Sequence, residues 1–341
     1  MCIFNASSYI KKIHKIKYFT KKFLKIEYHL KQKKSIKRSD YKKMKLDTII
    51  NEWLHFKKIS IKESTYFRYV YIIEQYILPY FNNWEMDKLM KYDFNNYVEK
   101  LLETLSPISV KNTLAIFKSI LNFAQSKYGY NFNFKLVAIP KIHTEELRVL
   151  SKKEKNKLEK YCENRNTLRC IGILICINTG LRIGEICALK WDCIDLDKHC
   201  IKVKKTMQRI YNKNTKRSTV IVDIPKTQKS IRTIPISTKL YNILKPLKKE
   251  FSNDCYFLTG SEKEYIEPRN YQYMFQKCLK DCRIEEFHFH QLRHTFATDC
   301  INVGMDTKSL SEILGHSTVK VTLDKYVHSS FNSKIKYLER L

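Results

Sequence analysis

Two arginines, two histidines and one tyrosine are the chemically informative side chains of this chain. Arg182 lies in Thr179-Gly180-Leu181-Arg182-Ile183-Gly184-Glu185, and His290 and Arg293 lie in His290-Gln291-Leu292-Arg293-His294. His316 ends Leu314-Gly315-His316, and Tyr326 sits in Leu323-Asp324-Lys325-Tyr326-Val327-His328. These are the groups needed to hold a phosphodiester and attack its phosphorus without a metal. The phosphorus is shielded by negative charge, and the transition state pushes more charge onto its non-bridging oxygens, so fixed cations must neutralise it. Arginine does this better than lysine, because its planar fork donates two parallel hydrogen bonds to phosphate oxygens and keeps its proton near neutral pH. Arg182 follows a glycine at a helix start, where unpaired backbone N–H groups and the helix dipole also favour an anion. The step from His290 to Arg293 sets a proton carrier and a cation on one side of a helix. His294 falls one step round that face and is assigned a structural role. Gly315 lets the chain turn and presents His316. Tyr326 is one of 22 tyrosines, so its type alone selects nothing. With an ordinary pKa of about 10, its phenol attacks at neutral pH only if arginines lower that pKa and a base takes the proton.

Helices must carry most of this set. Between about residues 45 and 130, apolar residues recur at helical spacing: Leu46, Ile49, Ile50 and Trp53, then Tyr66, Tyr69, Val70, Ile73 and Ile77, with Pro79 closing the second helix. A third stripe holds Phe94, Tyr97, Val98, Leu101 and Leu102. A fourth, opened by Ser106-Pro107, holds Val110, Leu114, Phe117, Leu121 and Ala124. The spacing predicts a small four-helix domain whose stripes are core. Lys62, Arg68, Lys111 and Lys118 fall on the opposite faces, as phosphate contacts or as ordinary solvated side chains. Periodicity is lost around Gly129, Asn131, Asn133 and Pro140, which predicts a linker over 131–146. Beyond it, Ser151 caps a helix through about Cys162, and an apolar helix runs from Leu168 to Asn178 until Gly180 interrupts it. Alternation at Ile201 and Val203, at Val220 to Ile224, and at Ile231, Ile234 and Ile236 predicts an antiparallel sheet of three strands, with helical patterning resuming near Tyr271. The expected fold class is mainly α with a small antiparallel β-sheet, a helical domain followed by a mixed α/β domain over 147–341.

Composition fits a polyanionic partner. A formal charge of +30 over 341 residues creates a field that attracts nucleic acid and releases its counterions. Ribosomal and membrane-surface proteins share such charge, so it narrows the partner without naming a function. A hydrophobic fraction of 43% builds ordinary cores. No apolar run approaches the roughly twenty residues needed to cross a bilayer, and the start of the chain has scattered lysines instead of a signal region, so a cytoplasmic protein without a membrane partner is expected. The 11 cysteines, an odd number, sit in apolar stretches such as Cys170, Cys176 and Cys187, and read as reduced core thiols. Cys278, Cys282, His288 and His290 hint at a metal site, but the two histidines have a single residue between them, against zinc-finger spacing, and no metal is expected. Residues 1–44 hold 14 Lys or Arg against Glu27 and Asp40, interleaved with Tyr9, Tyr18, Phe19, Phe23 and Tyr28. Such a segment serves as a DNA-contacting arm or as a solvated tail.

In order and approximate spacing, the Arg182, His290-x-Leu292-Arg293-His294, Leu314-Gly315-His316 and Tyr326 motifs resemble the tyrosine recombinase family, the integrases of phages and conjugative elements, over roughly residues 45–341. The resemblance implies that Arg182 and Arg293 clamp the scissile phosphate, that Tyr326 attacks it to form a 3′-phosphotyrosine, and that His290 and His316 assist proton movement and transition-state binding. It makes Glu185 an orienting or fold-supporting carboxylate. It also implies a lysine on a hairpin of the small sheet, acting as acid toward the 5′ leaving oxygen. The run Pro225-Lys226-Thr227-Gln228-Lys229-Ser230-Ile231-Arg232-Thr233-Ile234-Pro235 is matched to that hairpin, with Lys226 the better fit and Lys229 its competitor. The helical domain corresponds to a core-binding domain, and residues 1–44 to an arm-type domain with no matching motif. Phe331, Ile335, Leu338 and Leu341 form an apolar stripe too short to fold alone, which packs on its own domain or, as the resemblance implies, onto a neighbouring protomer in a tetramer on two DNA sites. Expected partners are double-stranded DNA attachment sites, further copies of the chain and accessory directionality factors, with no cofactor. Integration or excision of a mobile element is the implied role. Two other assignments stay open: a type IB topoisomerase-like enzyme, which shares the phosphotyrosine chemistry, and a DNA-binding protein on a recombinase scaffold without strand exchange, although none of the active residues is missing. A metal-dependent nuclease is disfavoured by the lack of clustered carboxylates.

Overall fold

Apolar stripes at helical spacing become the buried faces of the helices. The computed structural model describes residues 44–132, 134, 137–141, 148–212, 217–224, 230–326 and 339. The chain divides into two units between 142 and 143.

The first unit is helical. Helix α1 (Leu46–Lys58) buries Leu46, Ile49, Ile50 and Trp53. Helix α2 (Glu63–Ile72) does not stop at Pro79. It passes through a π turn (Ile73–Ile77) and resumes as α3 (Leu78–Phe81), with Pro79 in its first turn. A proline ring in an unbroken α-helix clashes with the carbonyl four residues earlier. The wider π turn, in which the Leu78 N–H reaches back to Ile73 O, relieves that conflict. A short α4 (Met86–Met90) precedes α5 (Phe94–Leu102) and α6 (Pro107–Tyr128), so the unit has more pieces than the four helices expected. Helix α6 begins with Ser106 Oγ accepting from the Ser109 N–H and ends at Gly129 in the left-handed conformation. Phe81 sits in the core with the rings of Tyr97 and Phe117 at 4.8 and 5.1 Å. Arg68, Lys111 and Lys118 are exposed, and Lys62 is half-buried just ahead of α2.

In the second unit, α7 (Lys152–Arg165) opens with a reciprocal cap: Ser151 Oγ accepts from the Glu154 N–H, and the Glu154 carboxylate accepts from the Ser151 N–H at 2.8 Å. Helix α8 (Leu168–Thr179) is buried on nearly every side and closes at Gly180. A short α9 (Ile183–Cys187) and a 3₁₀ turn (Trp191–Cys193) lead into the strands. Strands β1 (Ile194–Asp195), β2 (Cys200–Val203) and β5 (Arg232–Pro235) form an antiparallel sheet in the order β1-β2-β5, with Ile201 opposite Ile234. The Val220 segment is not its third member. As β4 (Arg217–Asp223) it pairs with β3 (Thr206–Asn212) in a separate two-stranded ribbon, registered from Thr206↔Asp223 to Asn212↔Arg217. Strand β3 escaped the sequence pattern because its buried residues, Met207 and Ile210, are three apart and break the period of two. The run matched to a hairpin therefore joins two sheets: β4 and β5 pair with β3 and β2, not with each other.

Helix α10 (Thr238–Lys248), capped by Ser237 and burying Leu240 and Leu244, was also absent from the expected elements. It is followed by α11 (Pro268–Asp281), α12 (Phe289–Asn302), α13 (Thr307–Leu314) and α14 (Val319–Tyr326). Cys170, Cys176 and Cys187 are buried free thiols. Among the described residues no helix is long and apolar enough to cross a membrane.

Candidate active site

The ends of α8, α12, α13 and α14 bring the chemically informative residues together. Gly180 closes α8 at φ 66, and an added Cβ there would lie 2.6 Å from Phe296 Cδ1 and 2.8 Å from Leu314 Cδ2. The turn puts Arg182 at the N-cap of α9. Its backbone N–H donates to Glu185 Oε2 at 2.9 Å, its Nη1 donates to Glu185 Oε1 at 2.7 Å, and its Nη2 to Gly315 O at 3.4 Å. On the other side of the Glu185 carboxylate lies Arg232 of β5. Its Nη1 and Nη2 donate to Oε1 at 3.0 Å and to Oε2 at 2.9 Å, and its Nε donates to Ile313 O. The side chains of Arg232 and Glu185 are 5% and 2% exposed. Burial alone would raise the Glu185 carboxyl, but the hydrogen bonds and charge of Arg232, then the charge of Arg182, outweigh it and hold the group at about 2. Glu185 is thus a buried anion that fixes two guanidiniums.

Arg293 is 1% exposed, and its fork ties two helix ends together: Nη1 donates to Gly180 O at 3.0 Å and Nη2 to Leu314 O at 2.6 Å. Burial, then the charge of Arg182, pulls its pKa down to about 9, which leaves it a cation at neutral pH. Gly315 closes α13 at φ 65, and His316 follows, its Nδ1 bonded to Thr322 Oγ1 at 2.7 Å. Its ring lies parallel to that of Tyr326, centroids 6.2 Å apart. Tyr326, the last residue of α14, is buried, and its hydroxyl is 2.8 Å from His294 Nδ1. Burial raises the phenol while Arg293 and then Arg182 lower it. The net shift is upward, so the arginines act in the expected sense but burial outweighs them.

Arg182, Glu185, Arg293, His316 and Tyr326 thus form one cluster. His290 is exposed on α12 and meets the His294 ring edge-on, centroids 4.8 Å apart. His294, expected to serve structurally, contacts the tyrosine hydroxyl. Four residues along a helix return to within about 40° of the starting direction. His290 and His294 therefore share a face, and His294 reaches the tyrosine itself. Arg232 was not singled out in the sequence either: at a period of two it shares the inward face of Ile234, but its partner Glu185 lies 47 residues away. Lys226, Lys229, Phe331, Ile335, Leu338 and Leu341 lie outside the described residues.

Residues 148–333 match the phage integrase family, and residues 45–102 match the N-terminal SAM-like domain of phage integrases. The chain belongs to the phage integrase family of tyrosine recombinases. Members of this family are DNA strand-transferases. The integrase is 27% identical over 335 residues, 89% of this chain and 84% of the relative, to a tyrosine recombinase XerC-like protein of Caldanaerobacter subterraneus subsp. tengcongensis. It is 27% identical over 317 residues, 86% of this chain and 82% of the relative, to the ICEBs1 integrase of Bacillus subtilis. Its fold is similar to that of the transposon Tn1549 integrase in complex with a circular intermediate DNA, with a TM-score of 0.70 at 22% identity over 87% of this chain and 100% of that one. Within the integrase's described residues, no group of three or more His, Cys, Asp or Glu side chains is placed to hold a metal ion.

Proposed function

We propose that this integrase cuts and rejoins double-stranded DNA at the attachment sites of a mobile element, with Tyr326 as nucleophile. One observation carries this: the buried Tyr326 hydroxyl lies in the same cluster as Arg293, Arg182 and His316, with both guanidiniums close enough to lower its pKa. In the proposed step the phenolic oxygen bonds to phosphorus while the P–O5′ bond breaks, leaving a 3′-phosphotyrosine and a free 5′ hydroxyl. Arg182 and Arg293 neutralise the non-bridging oxygens, Arg182 oriented by Glu185. His316, its Nδ1 held by Thr322, turns its other nitrogen to the phosphate, and His290 assists proton movement. Lys226, or Lys229 in its place, protonates the 5′ oxygen.

The names of similar proteins support a mobile element: the ICEBs1 integrase is one, and a transposon integrase in complex with a circular intermediate DNA is another. Residues 45–130 are proposed as the core-binding module, 131–146 as linker, 147–341 as the catalytic module and 1–44 as an arm-type contact. A tetramer on two sites, joined through the apolar positions after Tyr326 and biased by accessory directionality factors, completes the proposal, with the cytoplasm as its location. Strand exchange that survives deletion after Val327 would count against the tetramer contact.

The decisive experiment is cleavage of a nicked suicide substrate in the presence of chelator. A covalent protein–DNA adduct is expected without added metal. It should be lost in Tyr326→Phe while DNA binding persists. Strict dependence on magnesium, or an adduct in Tyr326→Phe, would reject the proposal.

A further inference from the structure

We propose that His294 accepts the phenolic proton of Tyr326 during attack, a catalytic role that rests on Tyr326 being the nucleophile. Nδ1 of His294 is 2.8 Å from the Tyr326 hydroxyl, within the roughly 2.6–3.2 Å reach that proton transfer to a general base requires. The other two imidazoles are placed for different work. His316 commits Nδ1 to Thr322 and turns the face of its ring, not that nitrogen, toward Tyr326. His290 is exposed, with its ring edge-on to that of His294. It gives the buried imidazole a neighbour that meets solvent.

The groups around His294 fit the task. Arg293 and His290 share its helix, Tyr326 comes from α14, His316 from the turn before α14, and Arg182 acts on the same tyrosine from the N-cap of α9. His294 itself is 5% exposed, so its contact with the Tyr326 hydroxyl is shielded from water. As the Tyr326 oxygen bonds to phosphorus, its proton passes to Nδ1. The electron pair of the broken P–O5′ bond leaves with the 5′ oxygen, which is protonated by a general acid or solvent. On rejoining, the proton returns from Nδ1 to the released phenolate. A tyrosine whose burial opposes ionisation needs such an acceptor, and Arg293, next to His294 in the chain, stabilises the phenolate as it forms.

The test is single-turnover cleavage of the suicide substrate by the full chain. His294→Asn keeps a polar atom near the Nδ1 position but has no basicity. Its cleavage rate should fall roughly 10²-fold or more, with melting temperature and DNA affinity unchanged. Replacing Tyr326 by 3,5-difluorotyrosine, a more acidic phenol, should recover most of that loss in His294→Asn and little of the loss in His316→Asn. A purely structural role for His294 gives no such selective recovery. A wild-type rate in His294→Asn, or a deficit that the acidic phenol leaves untouched, overturns the assignment. If His294→Asn melts early, the otherwise unsubstituted chain decides: difluorotyrosine at 326 should flatten the acid limb of the pH–rate profile, and an unchanged limb counts against the proposal. An adduct that survives in Tyr326→Phe removes the nucleophile assignment beneath it. Loss in Tyr326→Phe with no effect in His294→Asn removes only the role of His294.

Discussion

A buried anion organises the site at the scale of single residues. Glu185 is gripped bidentately by Arg232 and from the other side by Arg182, so the Arg182 guanidinium is oriented by a carboxylate that water does not reach. Removing one partner of a buried pair leaves an uncompensated charge, at a cost of about 3–5 kcal/mol. Arg232→Ala should destabilise the second unit on that order, read by denaturant unfolding. It should also lower the cleavage rate more than DNA affinity, because Arg182 loses its fixed orientation. Arg232→Lys should cost less in stability but not restore the rate, since an ammonium cannot reproduce the fork. The same carboxylate sets an acid limit. Its folded pKa of about 2 lies below the unfolded value of 4.5, so its stabilisation is fully present above the unfolded value and is lost as pH falls toward 2. The shift corresponds to roughly 3 kcal/mol. Unfolding measured across that window should show this loss in the wild type and a flatter dependence in Glu185→Gln. Arg182, Arg293, His316 and Tyr326 were legible in the sequence because each stands in an ordered motif. Arg232 stands in none, and His294, though it stands in one, gave no sign of its contact with Tyr326; their partners lie 47 and 32 residues away.

At the scale of elements, local chemistry announced the helix ends and tertiary pairing decided the sheets. Ser151 with Glu154, Ser106 with Pro107, and the glycines at 129, 180 and 315 mark caps that depend only on neighbours in sequence. The π turn before Pro79 and the choice of β3 as partner for β4 depend on packing, which a pattern of apolar residues does not encode. Gly180 joins the two levels, since its left-handed turn both ends α8 and aims a carbonyl at Arg293. Gly180→Ala should be destabilised well beyond the ~1–2 kcal/mol of a left-handed alanine, because the new methyl meets Phe296 and Leu314 inside contact distance. Its cleavage rate should fall as the Arg293 fork shifts. Gly304→Ala is the control: φ is 88 but no atom lies within 4 Å of the added Cβ. It should lose only the conformational cost, measured as a small drop in melting temperature, and keep the wild-type cleavage rate. Equal effects in the two variants would mean that the Gly180 turn is not coupled to the site.

At the scale of the whole molecule, charge governs the encounter with DNA. The net +30 predicts affinity that falls steeply with salt, while the site residues contribute orientation more than total charge. The family match over 45–102 covers α1 to α5 but stops before α6, where Lys111 and Lys118 are exposed two turns apart on one face. If that face meets the DNA backbone, the double variant Lys111→Gln with Lys118→Gln should reduce the slope of log affinity against log salt by roughly 1.8. It should weaken attachment-site and random DNA equally, because phosphate contacts carry no sequence information. An unchanged slope would place those lysines away from DNA. Deleting residues 1–43 asks the same of the proposed arm, whose 14 basic and two acidic residues supply +12 of the chain's +30. An arm that contacts flanking DNA predicts that the deletion lowers affinity for long duplexes and shallows the salt dependence, while cleavage of a short suicide substrate continues at the wild-type rate. Loss of short-substrate cleavage would instead tie the segment to the catalytic step. Unchanged affinity for long DNA would leave those charges to solvent.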